Sequence, residues 1–183
     1  MDLHFITFFE EFKLLFLLVS ILPCLQTCSA ESSTEKDLTF AMIKPDGVSG
    51  NYTTAIKKII SEFGFGITNE TTVQLDEETV KDFYAEHSSR SFFPGLVRYM
   101  TSGPVLMMVL EKANAVADWR ALIGPTDSQT AKVTHPHSIR AMCGLDLQRN
   151  CVHGSDSPQS AVREIAFFFE KSSSGFLLKH DEL

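Results

Sequence analysis

The chain has 183 residues, of which 44% are hydrophobic, and its formal net charge at pH 7 is −7. This length is enough for one well-buried core and too short for two good ones. The acidic balance argues against nucleic acid as the main partner. We therefore predict one domain, with targeting segments at its ends.

The N-terminal segment has the pattern of a secretory signal peptide. Residues 14–22 are apolar except for Ser20, a length that suits a signal-peptide core and is too short to span a bilayer. Small residues precede a cleavage position after Ala30, so we predict a signal peptide over residues 1–30. Three acidic residues and one lysine lie before this core, where positive charge is typical. An uncleaved signal anchor is therefore the alternative, and a buried core helix is less favoured.

The other end of the chain carries a retrieval signal. A polar linker over residues 31–36 precedes the predicted domain, and a tail over residues 171–183 follows it. The tail ends in the HDEL sequence, which a retrieval receptor of the endoplasmic reticulum binds; its residues are His180, Asp181, Glu182 and Leu183. Together with the signal peptide, this sequence predicts the lumen of the endoplasmic reticulum, without membrane attachment after cleavage.

Two further features bear on that compartment. The sequence matches the N-glycosylation pattern at Asn51 and at Asn69, so both are candidate glycosylation sites. After signal cleavage only Cys143 and Cys151 remain. In an oxidising lumen they could pair, but a spacing of eight residues around a predicted strand does not require it. We predict two buried free thiols, with a disulfide as the alternative.

Between linker and tail, strand-like and helical patterns alternate. Strands are predicted over residues 38–43, from 66 to about 75, over 105–110 and in a short segment ending at Val152. Helices are predicted over residues 56–63, 77–87, 92–100, 114–123 and 158–168. Residues 126–136 are predicted to be a long polar loop, a common place for function. This layer order is of α/β type and leaves the strand directions open.

Residues 150–156 (Asn-Cys-Val-His-Gly-Ser-Asp) combine a histidine with turn residues before a helix. Ser157 precedes Pro158, which is the pattern of a helix cap. On that helix Glu164 falls on or beside the apolar face, where a carboxylate is costly unless it is paired. His153 is the nearest suitable partner. Such a pair would fix the tautomer of the imidazole and leave its other nitrogen as a nucleophile.

This motif resembles the active-site signature N-x-x-H-G-S-D of nucleoside diphosphate kinases, and the resemblance extends over residues 38–169. It implies an α+β fold, with a ferredoxin-like four-stranded antiparallel sheet covered by helices, in a domain spanning residues 37–170. It also implies ping-pong transfer of the γ-phosphoryl group from a nucleoside triphosphate to a nucleoside diphosphate. A phosphohistidine at His153 would carry the group, and Glu164 would orient the ring.

The resemblance assigns the remaining site residues one by one. Three cations would bind the phosphates and stabilise charge on the transferred group: Lys44, Arg120 and Arg140. Tyr84 would line the phosphate end of the site, and Phe92 would stack on the base. Thr126 would contact a phosphate, and Asn150 would bond the ribose hydroxyl. Ser155 would bond the catalytic glutamate. Magnesium (Mg2+) can be carried by the nucleotide phosphates, so no protein metal ligand is expected. The histidines of His135-Pro136-His137 are interpreted as a solvated loop.

Two features resemble a divergent branch of that family. Thr126 and Arg140 are fourteen positions apart, a few more than is usual, and only fourteen residues follow Phe169. In the usual enzymes the corresponding loop and tail help to assemble a hexamer, so we expect a smaller or weaker homo-oligomer. The alternative function is a nucleotide-binding or scaffolding module with little turnover. The intact His153 favours the kinase.

Overall fold

The computed structural model describes residues 36–170, and the elements below refer to that part of the chain. The predicted signal peptide, most of the linker and the tail with its retrieval signal lie outside the described residues. Among the residues that are described, no helix is long and apolar enough to span a bilayer.

Four strands form one sheet in which every neighbouring pair is antiparallel. They are β1 (Asp37–Ile43), β2 (Gly66–Val73), β3 (Val105–Lys112) and β4 (Val152–Gly154). Their order across the sheet is β2-β3-β1-β4. The predicted four-stranded antiparallel sheet of an α+β fold is confirmed.

Helices connect the strands and cover the sheet. They are α1 (Pro45–Ser49), α2 (Thr53–Glu62), α3 (Glu77–Phe83), α4 (Phe93–Met100), α5 (Ala115–Ile123), α6 (Ser128–Thr134), α7 (Ile139–Cys143) and α8 (Pro158–Ile165). A 3-10 turn (Ala85–His87) follows α3, and a π-helical turn (Ala166–Glu170) extends α8.

The core has two layers because side chains alternate across the central strand β1. Ala41 and Ile43 face a buried cluster that α2 and α5 cover. Phe40 and Met42 face a second cluster, which α3, α4 and the turn after α8 cover. The short strand β4 pairs with the end of β1, so it lies against the most buried part of the sheet.

Two local predictions are wrong. The stretch predicted as a polar loop over residues 126–136 contains helix α6. The side chain of Asp127 caps it by accepting from the N–H of Gln129, and only Ser128 and Ala131 are buried within it, so its composition resembles that of a loop. In addition, β4 begins at Val152, which was predicted to end the strand.

The prediction of two free thiols is also wrong. Cys143 and Cys151 form a disulfide, and their Cα atoms are 5.8 Å apart. The bond is possible because α7 ends beside the segment that enters β4. A spacing of eight residues does not reveal that the chain turns back on itself between the two cysteines.

Candidate active site

Strand β4 presents His153, and three side chains hold its backbone in place. The carbonyl of Val152 accepts from Arg140 Nη2 at 3.2 Å, and that of His153 accepts from Trp119 Nε1, also at 3.2 Å. Arg120 Nη1 lies 3.5 Å from the carbonyl oxygen of Gly154. These donors come from α5 and α7, so both helices are connected to the strand that carries the histidine.

Gly154 is required by a close approach of the neighbouring helix. A Cβ atom at this position would lie 2.5 Å from the Trp119 ring, a distance that no real Cβ contact shows. A larger residue would therefore separate β4 from α5. The glycine that follows the histidine keeps the two elements in contact.

The His153 ring is fixed by a buried carboxylate on α8. Glu164 Oε2 lies 2.9 Å from His153 Nε2 and accepts from Ser155 Oγ at 2.8 Å. Ser155 Oγ in turn lies 3.3 Å from the N–H of Phe40, which donates to it. The predicted contact between His153 and Glu164 is confirmed, as is that between Ser155 and Glu164. Because Nε2 faces the carboxylate, Nδ1 is the nitrogen directed away from it, and 20% of the His153 side chain remains accessible.

An aromatic row extends from the histidine to the surface. Tyr84 makes an edge contact with His153 and stacks with His87, whose ring is 5.7 Å from that of Phe92. Phe92 is 50% exposed, which excludes a plain core role for this aromatic, whereas Phe93 packs against the core. His87 joins these rings, and no sequence pattern indicates this role beyond its place at the end of a predicted helical segment.

The Tyr84 hydroxyl faces this site without a partner. Among the described residues, its buried oxygen has no hydrogen-bond partner. Burial first, and then the charge of Glu164, raise the pKa of Tyr84 above its usual range. The hydroxyl therefore stays neutral and can donate to an incoming oxygen.

The predicted cations form the second half of the site. Lys44 and Arg140 are buried, whereas Arg120 is exposed. Lys44 Nζ donates to Asn150 Oδ1 at 2.7 Å, and Arg140 Nη1 donates to the carbonyl of Gly124 at 2.8 Å. These partners are neutral. Within residues 36–170, no salt bridge joins any of the three cations to a carboxylate.

Burial and the charge of a neighbouring cation lower the pKa values of Lys44 and Arg140. The pKa of Lys44 falls to about 7, because burial and then the charge of Arg140 outweigh the opposing effect of Asp46. The pKa of Arg140 falls to about 10, because of burial and then the charge of Arg120. A site with this excess of positive charge favours a multiply charged anion.

Asn150 connects the cations to the segment after α5. Its Nδ2 donates to the carbonyls of Thr126 and Leu147, at 2.9 and 3.0 Å. Both amide hydrogens and one lone pair of Oδ1 are therefore engaged, which leaves the second lone pair for a ligand hydroxyl. Thr126 is exposed beside this contact.

The donor set does not fit a metal ion bound by the protein. In the described part of the chain, no three His, Cys, Asp or Glu side chains are close enough together to hold one. Glu164 is the carboxylate at the histidine, and its Oε2 is already bonded to two groups. The site suits an anion, which can bring its own cation.

Both glycosylation candidates lie on the surface. Asn51 is exposed in a turn, with a φ of 61°, and Asn69 is exposed on the edge strand β2. An enzyme that attaches a glycan needs such access, so the positions are suitable in this respect.

A histidine held by a carboxylate beside cations that form no salt bridge among the described residues suits phosphoryl transfer. A sequence model described as nucleoside diphosphate kinase matches residues 37–174, and the chain belongs to this family of phosphotransferase enzymes. It is 67% identical to the probable nucleoside diphosphate kinase 5 of Arabidopsis thaliana, over 78% of this chain and 100% of that protein. It is 44% identical to the nucleoside diphosphate kinase of Geobacter sp. (strain M21), over 73% of this chain and 95% of that protein.

A solved structure agrees with these relatives. The nucleoside diphosphate kinase of Aquifex aeolicus superposes with a TM-score of 0.72 at 40% identity, covering 73% of this chain and 95% of that one. The predicted family and fold are therefore confirmed.

Proposed function

We propose that this protein transfers a γ-phosphoryl group from a nucleoside triphosphate to a nucleoside diphosphate through a phosphohistidine at His153. The observation that carries the proposal is the contact of His153 Nε2 with the buried Glu164, which leaves Nδ1 as the nucleophile. Nδ1 attacks the γ-phosphorus, and the first diphosphate leaves. The terminal oxygen of the second diphosphate then attacks the phosphohistidine and releases the histidine, which completes a ping-pong cycle.

The remaining residues position the nucleotide and stabilise its charge. Lys44 and Arg140 are buried cations that form no salt bridge to a carboxylate among the described residues, and Arg120 lies beside Gly154 on the solvent side. They would neutralise charge on the transferred group and on the leaving diphosphate. Mg2+ is expected to arrive on the nucleotide phosphates, where it neutralises part of their charge. Phe92 would stack on the base.

A nucleotide-binding module without turnover is not favoured by any of these contacts. Binding alone needs the cations and the aromatic surface. It does not need a nucleophile whose ring is fixed by Glu164 and Ser155.

The test of the nucleophile is phosphoenzyme formation. Incubation with γ-labelled ATP should label the protein with an acid-labile, base-stable phosphate, and addition of a nucleoside diphosphate should remove the label. His153→Ala should abolish labelling while nucleotide binding is largely retained. His137→Ala, which changes an exposed histidine, is the matched control and should be labelled normally. Normal labelling of the His153→Ala variant would exclude the assignment.

The endoplasmic-reticulum lumen is the proposed location. Its support is the pattern at the two ends of the sequence, the exposed sequons and the disulfide, since disulfides persist in oxidising compartments. Deleting the HDEL residues 180–183 should release the protein into the medium, because the retrieval receptor would no longer bind it. Recovery of the intact protein in the cytosol would contradict this location. An uncleaved N-terminus, seen by mass spectrometry, would favour the signal anchor.

A homo-oligomer smaller or weaker than a hexamer is the proposed assembly. The contacts described for His153, its carboxylate and the cations all lie within one chain, so the proposed chemistry does not depend on a partner subunit. Light scattering at micromolar concentration measures the mass. A stable hexamer would contradict the proposal.

A further inference from the structure

The disulfide lies among the residues of the proposed phosphate site. Cys143 ends α7, three residues after Arg140. Cys151 lies between Asn150 and β4, two residues before His153. The bond therefore connects the helix that carries the buried arginine to the strand that carries the histidine.

The backbone of Cys151 is also fixed. Its φ is 71°, in the left-handed region that a residue with a Cβ atom rarely adopts. Its N–H donates to Asp46 Oδ2 at 3.0 Å, and its carbonyl accepts from the N–H of Lys44 at 2.9 Å. Asp46 is held in turn by the Tyr99 hydroxyl, which donates to Oδ1. Arg140 is thus attached to the cystine through a short segment of chain, and Lys44 through a backbone hydrogen bond.

The positive charges around the disulfide favour separation of the elements that it connects. Burial is the first cause of the lowered pKa values of Lys44 and Arg140; the second is repulsion, of Lys44 by Arg140 and of Arg140 by Arg120. Helix α7 has only five residues, so its own hydrogen bonds give it little rigidity. Without an anion in the site, electrostatic repulsion favours movement of α7 away from Lys44.

We propose that Cys143 and Cys151 are a positioning pair, whose bond holds Arg140 beside the His153 strand before nucleotide arrives. The proposal rests on the kinase function above. Both cysteines are buried, so neither is expected to touch substrate. The bond acts through Arg140, and it removes the need for the nucleotide to draw α7 into place on binding.

Breaking the bond should weaken nucleotide binding more than it slows the chemical step. Once bound, the phosphates attract Arg140 and restore much of the geometry. We therefore expect kcat/KM to fall by roughly ten- to a hundredfold, a range typical of small misplacements. The larger part of the fall should appear in KM.

The experiment compares oxidised and reduced protein. The full chain is expressed through a eukaryotic secretory pathway, and its affinity for ADP is measured by calorimetry with and without dithiothreitol. Dithiothreitol gives two electrons and two protons to the bond and becomes a cyclic disulfide, which leaves two cysteine thiols. Affinity should fall on reduction and return on reoxidation, while circular dichroism shows that the fold is retained.

Two variants separate positioning from general stability. Cys143→Ser with Cys151→Ser should bind ADP weakly and should not respond to dithiothreitol, which controls for effects of the reagent elsewhere. In Arg140→Ala, reduction should change the affinity less than twofold, because the side chain through which the bond acts is absent. A purely structural bond would weaken ADP binding on reduction as much in Arg140→Ala as in the unaltered protein, and would overturn the proposal.

Other outcomes are equally decisive. Equal ADP affinity of the oxidised and reduced protein would overturn the proposal, as would alkylation of both cysteines in the protein as purified. Unfolding of the reduced protein would show that the bond serves general stability and would overturn the proposal. If only the double serine variant unfolds, the reduced protein and the Arg140→Ala comparison still decide. Failure of the kinase function is recognised separately, because the oxidised protein would then bind ADP without forming a phosphoenzyme.

Discussion

The two halves of the site differ in how completely their polar groups are paired. The histidine half consists of His153, Glu164 and Ser155, whose side chains bond to one another and to the backbone of β1. The cation half consists of Lys44, Arg140 and Arg120, whose described hydrogen bonds go only to neutral groups.

This difference indicates what each half contributes. The histidine half is preorganised, so the nucleophile needs no rearrangement before it reacts. The cation half stores unfavourable electrostatic energy that a phosphate would relieve. The repulsion between these cations lowers the folding stability of the protein and raises its affinity for an anion. Such a trade-off between stability and function is common.

Apart from loss of His153 itself, removing one buried cation should have the largest effect. Lys44→Met fills a similar volume without a charge, so kcat/KM should fall about a hundredfold or more. The midpoint of thermal unfolding should not fall, because a desolvated cation repelled by Arg140 has been removed. Steady-state kinetics and calorimetry measure the two quantities. Lys58→Met, at a mostly exposed position on α2, should change neither.

Removing the charge of Glu164, in the histidine half, should slow the reaction less. Glu164→Gln keeps the shape of the side chain but removes its charge, so kcat should fall about ten- to a hundredfold with little change in KM. Quench-flow measurement of phosphoenzyme formation from ATP isolates this step. Glu62→Gln, which changes an exposed carboxylate, is the control. A rise in KM at unchanged kcat would show that Glu164 acts on binding instead of on the ring.

The sequence predicted the histidine half because its contacts are local. His153, Ser155 and Glu164 lie within one strand-turn-helix segment, where helical spacing and the cost of an unpaired carboxylate suggest the pairing. Lys44 and Asn150 are 106 positions apart. No local pattern relates them, and only the resemblance to a family connected Lys44 with Arg140.

The errors have the same cause. Helix α6 is short and polar, so its identity depends on the Asp127 cap and on packing against α7, and neither produces hydrophobic periodicity. The disulfide depends on the direction in which the chain returns from α7 to β4. Strand directions, likewise, came from the family resemblance, since alternating strands and helices are compatible with either a parallel or an antiparallel sheet.

The pH dependence of binding should report the charge of Lys44. Its pKa in the free protein is about 7, and a bound phosphate would raise it, so binding takes up a proton above that pH. Affinity for ADP should therefore fall about tenfold between pH 7 and 8.5. Calorimetry in buffers of different ionisation enthalpy detects the proton. In Lys44→Arg the side chain stays charged, so the fall in ADP affinity with pH and the uptake of a proton on binding should both disappear.

Stability should change with pH in the opposite direction. The unfolded chain keeps Lys44 protonated up to its ordinary pKa of 10.5, whereas the folded protein releases this proton near 7. Between these values the unfolded state binds more protons, so the Lys44 contribution to the free energy of unfolding rises with pH. If the difference in unfolding free energy between the unaltered protein and Lys44→Met does not depend on pH, Lys44 is not the group responsible.

The smallest effect is expected for the cap of the helix that carries Glu164. Ser157 Oγ accepts from the N–H of Ser160 at the start of α8, and Ser157→Ala should lower the free energy of unfolding by about 1 kcal/mol. Asp76→Ala removes the equivalent cap from α3 and should have a similar effect on thermal unfolding. Both variants should keep kcat within about twofold, because Glu164 is also held by Ser155 and His153. If kcat falls tenfold in Ser157→Ala alone, the histidine half depends on the helix cap for its rigidity, and the contrast between a preorganised half and a strained half is lost.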